Sequence, residues 1–353
     1  MKTIAYCHPF VPPEWIAAHG LRPYWLPCRA GDEPAVWVRR GVCPVAASRL
    51  DDFAGPLPSD AVVLTTTCDQ IRYAAALVQH QGRLPVFLMH VPRTWQTAAA
   101  RAFYRQEIGR LGRFLVGCGG TAPEDEVLSQ TMLRYDRARA SLRLPQGEMS
   151  AGARAQATAA VRGDLVQSTP PATLPAGPGQ QEVSPFAPRN SAAFAERKAT
   201  DRQLSIPLSL ALVGGPMSEG DYELLTAIED AGGRFVLDAT ESGERTLPAP
   251  VDADRLKADP REELARIYFD SIPDVFQRPN DRLFAWLRQE IAGRQVQGII
   301  VRRFVWCDHW HGEMTRLREE LSVPVLEWEG AGNDPRARAS ALGRMEAFLE
   351  MLR

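Results

Sequence analysis

No stretch of this sequence is apolar for long enough to span a bilayer, and neither sign of charge dominates it. Lys and Arg number 41 against 43 Asp and Glu, a formal net charge of −2. That balance gives no electrostatic reason to bind nucleic acid or an anionic membrane surface. Closely paired cysteines are missing too. The six stand at 7, 28, 43, 68, 118 and 307, a spacing that excludes zinc-finger and ferredoxin-like runs. Neither a Ser-His-Asp order nor a His-Glu-x-x-His pattern occurs. The opening MKTIAYCHPFVPPEW has one lysine, then prolines and a glutamate, unlike a signal peptide, so a cytoplasmic location is expected. Cysteines in that compartment do not build a disulfide framework.

What is present is an ordinary globular composition, 45% apolar and 24% charged over 353 residues, a length that favours more than one core. Apolar runs predict strands at Thr3–Tyr6, Ala61–Thr67, Pro85–Val91 and Phe114–Val116, with amphipathic helices at Asp69–Gln81 and Thr97–Leu111. A second series predicts strands at Leu208–Val213, Arg234–Leu237, Gly298–Val305 and Pro324–Trp328. Its helices are expected at Glu219–Ala231, Glu262–Phe269, Asp281–Gly293, Trp310–Leu321 and Arg336–Leu352. Strands apolar throughout belong to parallel sheets covered on both faces. Residues 124 to 165 read as polar helix, and Ser168–Arg189 is crowded with Pro, Gly and Gln, a composition that reads as a loop or linker. The expected domains are therefore 1–123, an insertion over 124–203, and 204–353.

Two cysteines hold matching places in the two halves. AVVLTTT runs into Cys68-Asp69 and GIIVRRFVW into Cys307-Asp308, each with a helix to follow. Ligands of open α/β sheets collect beyond the carboxyl ends of strands. A helix start there offers unpaired N–H groups that lower a thiol's pKa, with the Asp as N-cap. Cys43 sits in GVCPVA, a turn with Pro44 placed for a first helical position. Three thiolates from three turns fit a cubane iron–sulfur cluster with one iron open. Zinc with three sulfurs and a water is the competing chemistry, and small buried hydrophobes are the alternative for all six cysteines.

The segments AYCHPFVPPEWIAAHG (Ala5–Gly20), GVCPVAAS (Gly41–Ser48), TTTCDQ (Thr65–Gln70), VPRTWQT (Val91–Thr97) and VWCDH (Val305–His309) resemble motifs of the 2-hydroxyacyl-CoA dehydratase family. That family includes benzoyl-CoA reductase subunits and double-cubane cluster proteins. The likeness spans about residues 1–120 and 204–350 and fails between them. It implies two flavodoxin-like α/β domains and a [4Fe-4S] cluster on Cys43, Cys68 and Cys307, or a double-cubane [8Fe-9S] cluster shared across a dimer. It further implies an acyl-CoA substrate, a homologous partner subunit, and an ATP-dependent iron–sulfur activator that delivers one electron at very low potential. In the dehydratases that electron makes a ketyl radical, whose β-proton is far more acidic than that of an ordinary acyl-CoA. The reductase branch instead reduces an aromatic ring. A non-catalytic electron-relay subunit is the third reading.

Glu14 matches the family's Pro-x-Glu pattern and is the catalytic carboxylate this reading implies; as a helix-opening residue it also suits the dipole. Trp95 and Trp306 are candidate shields for a cluster, or plain packing. Gly214-Gly215-Pro216-Met217-Ser218 follows a strand and precedes a helix; it could receive a CoA phosphate or form a tight turn. DATESGER (Asp238–Arg245) lies beyond another strand end and offers an arginine. His90, His309 and His311 are candidate proton donors or first-turn residues. Cys7, Cys28 and Cys118 read as non-ligands.

Overall fold

The computed structural model describes residues 1–28, 41–55, 58–143, 150–163, 165, 206–329 and 335–353. Ser168–Arg189 lies outside the described residues.

The first sheet takes β1 (Thr3–Tyr6), β2 (Arg22–Trp25), β3 (Ala61–Thr65) and β4 (Val86–Met89), joined through helices α1 (Pro13–Ala18), α2 (Pro44–Ala54) and α3 (Asp69–Gln81). Helices α4 (Ala98–Gly117), α5 (Asp125–Ala140) and α6 (Ala151–Ala160) follow. The second sheet takes β5 (Leu208–Gly214), β6 (Gly233–Thr240), β7 (Gly298–Arg303) and β8 (Val325–Glu329). Around it run α7 (Glu219–Asp230), α8 (Ala253–Ala258), α9 (Pro260–Ala265), α10 (Asp281–Gly293), α11 (Asp308–Glu320) and α12 (Pro335–Leu352). Both sheets are parallel throughout, in the orders β2-β1-β3-β4 and β6-β5-β7-β8. This is the doubly wound, flavodoxin-like order twice over.

Period-two alternation fixes which way each strand faces. In the first sheet Ala5, Val62 and Leu64 pack on α2 and α3. Ile4, Tyr6, Ala61 and Val63 face α1, α4 and α5. The second sheet divides likewise, with Leu210, Leu212 and Ile300 toward α7 and α12 and Ala211, Val213, Ile299 and Val301 toward α10 and α11. One packing relation crosses between the halves. Leu256, Leu264, Ile267, Tyr268, Phe269 and Phe276 are buried in the first sheet's core, with Tyr104, Leu111 and Met132.

Three elements depart from expectation. Phe114–Val116 is the last turn of α4, not a strand; Tyr104, Ile108, Leu111 and Leu115 form one buried stripe at helical spacing. The unexpected strand β2 carries Pro23, which cannot donate to a ladder and is tolerated because β2 lies on the sheet's edge. The helix expected over Glu262–Phe269 is α9 followed by a π-helical turn at Arg266–Asp270, with the Asp259 carboxylate accepting from the amides of Arg261 and Glu262.

The halves meet at their strand ends. Cys28 bridges to Ser218 and Thr94 to Arg278 as isolated β-pairs. The Arg278 amide donates to Arg93 O at 2.8 Å. Trp95 Nε1 donates to Pro279 O at 2.7 Å, and His309 Nε2 lies 3.0 Å from Thr67 O.

Candidate functional site

Between the carboxyl ends of the two sheets lies a cavity of about 350 Å³. A flavodoxin-like order reverses direction between its first and third strands, which opens a crevice at that point. Here two such points face each other. Cys7 and His8 follow β1, Thr67 and Cys68 follow β3, Gly215 follows β5, and Trp306 and Cys307 follow β7; all line the cavity.

Cys43, Cys68 and Cys307 all reach this cavity, and each is the N-cap of its helix: α2, α3 and α11. Cys43 Sγ accepts from the Ala46 amide at 3.4 Å. Cys68 and Cys307 hold the same position without a side-chain capping bond. Asp69 and Asp308 were expected to be the caps; they are instead the first helical residues, because the thiols already occupy the capping positions. Asp69 pairs with Arg72 at 2.8 Å on the exposed side.

The expected lowering of thiol pKa is reversed. Burial outweighs the helix N–H groups, pushing Cys43 up to about 12 and Cys307 up to about 11, and Cys68 is raised as well. The thiols also raise one another, Cys43 feeling both Cys68 and Cys307. Three thiolates gathered here therefore need a positive group among them, whose binding would displace their protons. Among the described residues no three Cys, His, Asp or Glu side chains converge as a single metal ion requires. Mononuclear zinc would need its sulfurs about 2.3 Å from one centre. An iron–sulfur cluster offers a separate iron to each thiolate and spans a wider set.

The rest of the wall has two characters. Phe276, Phe304, Trp306 and Trp310 supply an aromatic lining. Trp306 is 60% exposed and takes a left-handed backbone, φ 64°, uncommon for a bulky residue and of the kind that gathers at functional sites. The polar side comprises His8, Arg49, Glu241 and Asp274, with Arg93 and Arg278. Burial lowers His8 to about 4, against the pull of Asp274, so it is neutral at pH 7. Burial first, and then Asp274, raises Glu241 to about 7 against Arg245, Arg162 and Arg49.

Glu14 lies elsewhere. It is fully buried, ion-paired to Arg139 and accepting from Tyr268 Oη at 2.6 Å, and it does not line the cavity. Trp95 packs against Arg282 at 4.6 Å, and His90 and His311 also stand outside the cavity wall. Of the loop at Gly214–Ser218, Gly215 and Pro216 reach the cavity. Gly214 is there for close packing: its φ is 142° and a Cβ would sit 1.8 Å from Arg302 O. In the 238–245 segment Arg245 turns inward to Asp274 at 2.8 Å, under the Trp310 ring. Glu241 faces the cavity instead. Sequence reasoning did not single out Glu241, His8 or Arg49, although the first two stand just beyond strand ends, the rule that marked Cys68 and Cys307.

Paired strand ends around a thiol-lined crevice define an α/β protein of two like, flavodoxin-like halves. The chain belongs to the 2-hydroxyglutaryl-CoA dehydratase, D-component family, whose model matches residues 9–352. It is thus a component of the 2-hydroxyacyl-CoA dehydratase type. No curated protein matches the chain. Among solved structures, the laminin-binding protein Lbp of Streptococcus pyogenes is 9% identical, with 100% of this chain and 99% of that one covered and a TM-score of 0.24. The binding protein FpvC of Pseudomonas aeruginosa with Mn2+ is 11% identical, with 100% and 98% covered and a TM-score of 0.23. Likenesses this low carry no argument.

Proposed function

We propose that this chain is the iron–sulfur subunit of an activator-dependent 2-hydroxyacyl-CoA dehydratase or a closely related acyl-CoA reductase. Cys43, Cys68 and Cys307 are the proposed ligands of a [4Fe-4S] cluster, and acyl-CoA the substrate. A homologous partner subunit and an ATP-dependent iron–sulfur activator complete the system. The observation that carries the reading is the convergence of three thiols at helix N-cap positions, drawn from both sheets, on one cavity. A cluster bound there supplies single-electron chemistry that no side chain has.

The chain's own residues supply the remainder. The aromatic wall excludes water and seats the acyl group. Glu241 is the carboxyl placed to hold and release a proton at its Oε atoms near neutral pH, and His8, neutral, lines the same cavity. For Glu14 the proposed role is positioning: paired with Arg139 and Tyr268, it ties α1 to α5 and to the π-helical turn.

Iron and acid-labile sulfide on protein purified without oxygen test the reading, with electron paramagnetic resonance after reduction. About four irons per chain are expected, lost together with the brown colour in Cys68→Ala or Cys307→Ala. Zinc, or colour that survives both substitutions, rejects the ligand set.

A further inference from the structure

We infer that the acyl group taken by this cavity is uncharged and apolar, aromatic or branched, and not the dicarboxylic acyl group in the family's name. The inference rests on the thioester reading of the same cavity and concerns which thioester it accepts.

A second carboxylate buried here would need a cation of its own, because an unpaired buried charge is heavily penalised. The inner cations are already committed. Arg245 holds Asp274 at 2.8 Å and also donates to Pro273 O and Ala239 O. Arg278 holds Glu313 at 3.0 Å, and Arg49 donates to Pro27 O at 2.6 Å with Asp52 at 3.4 Å. Glu241 and Asp308 line the same wall, and its other two carboxyls, Asp274 and Asp69, are the ones paired with Arg245 and Arg72. A substrate carboxylate would therefore find none of these inner cations free to offset it. Arg93 remains, but it is exposed at the mouth, where an ion pair selects weakly. Four aromatic rings make up the complementary surface, and they favour a flat or branched hydrocarbon group.

The test is equilibrium binding to the anaerobically purified full chain, its iron content measured first. Free CoA is compared with two thioesters that lack a 2-hydroxyl and so cannot react, 3-phenylpropionyl-CoA and glutaryl-CoA. Phenylpropionyl-CoA is expected to bind at least tenfold tighter than glutaryl-CoA. Arg93→Ala should weaken both thioesters alike, leaving their ratio unchanged. Glutaryl-CoA binding as tightly or tighter overturns the inference while leaving the thioester reading intact. So does a ratio that moves in Arg93→Ala because glutaryl-CoA alone is lost. If neither thioester binds better than free CoA, the thioester reading falls and takes the inference with it.

Discussion

Glu14 and Glu241 are two carboxyls with opposite surroundings. Glu14 is fully buried against a guanidinium that is itself almost wholly buried. Burial alone would loosen Arg139's proton, but Glu14 outweighs it and raises the pKa. Removing one partner of such a pair leaves the other charge stranded, at a cost of about 3–5 kcal/mol. Glu14→Gln should therefore lose about that much in urea unfolding; a stability change below about 1 kcal/mol would return Glu14 to a chemical role. Glu241 behaves differently. Its folded pKa, about 7, stands above the ordinary 4.5, so the native state holds a proton that the unfolded chain has released. Stability is accordingly lost as pH rises from about 4.5 to about 7. Glu241→Gln should gain roughly 3 kcal/mol at pH 8 and nothing at pH 4. Unfolding midpoints at the two pH values check this, and a gain equal at both would deny the raised pKa.

At the scale of elements, the legible parts were those where one local signal decided the structure. Asp69–Gln81 and Asp281–Gly293 appear with the limits their periodicity predicts. Phe114–Val116 misled because three adjacent apolar residues look alike in a strand and in a helix's last turn; the stripe back to Tyr104 decides it. Strand β2 was hidden by Pro23, and its edge position is a tertiary fact. The cysteine trio was legible because each thiol stands in a turn that starts a helix. Glu241, His8 and Arg49 were not, because charged and polar residues beyond strand ends are common and only the facing of two sheets selects among them. Gly214 gives an element-level prediction. Gly214→Ala drives a methyl into Arg302 O and should cost about 2–3 kcal/mol, read as a lowered thermal midpoint. Gly215→Ala meets only ring atoms at 3.9 Å and should leave the midpoint unchanged. Equal effects of the two substitutions would contradict the packing described between β5 and β7.

Taken whole, the molecule is two like sheets whose cores are not independent. Residues Leu256 to Phe276 supply eight buried apolar side chains to the first sheet's core. A fragment of residues 1–143 would leave the surface beneath them exposed to water. Such a fragment is expected to bind a hydrophobic dye and to show poorly dispersed amide resonances. A sharp, dispersed spectrum would mean that the first sheet closes its core unaided.

The same packing sets a timetable for biogenesis. A ribosome finishes the first sheet, and with it three of the four crevice thiols, Cys7, Cys43 and Cys68, long before it makes the segment that covers that sheet's apolar flank. Domains usually fold as they emerge. This one has to wait with its flank open until most of the chain exists, and Cys307 emerges later still. Anything loaded between the halves is thereby deferred until synthesis is nearly complete.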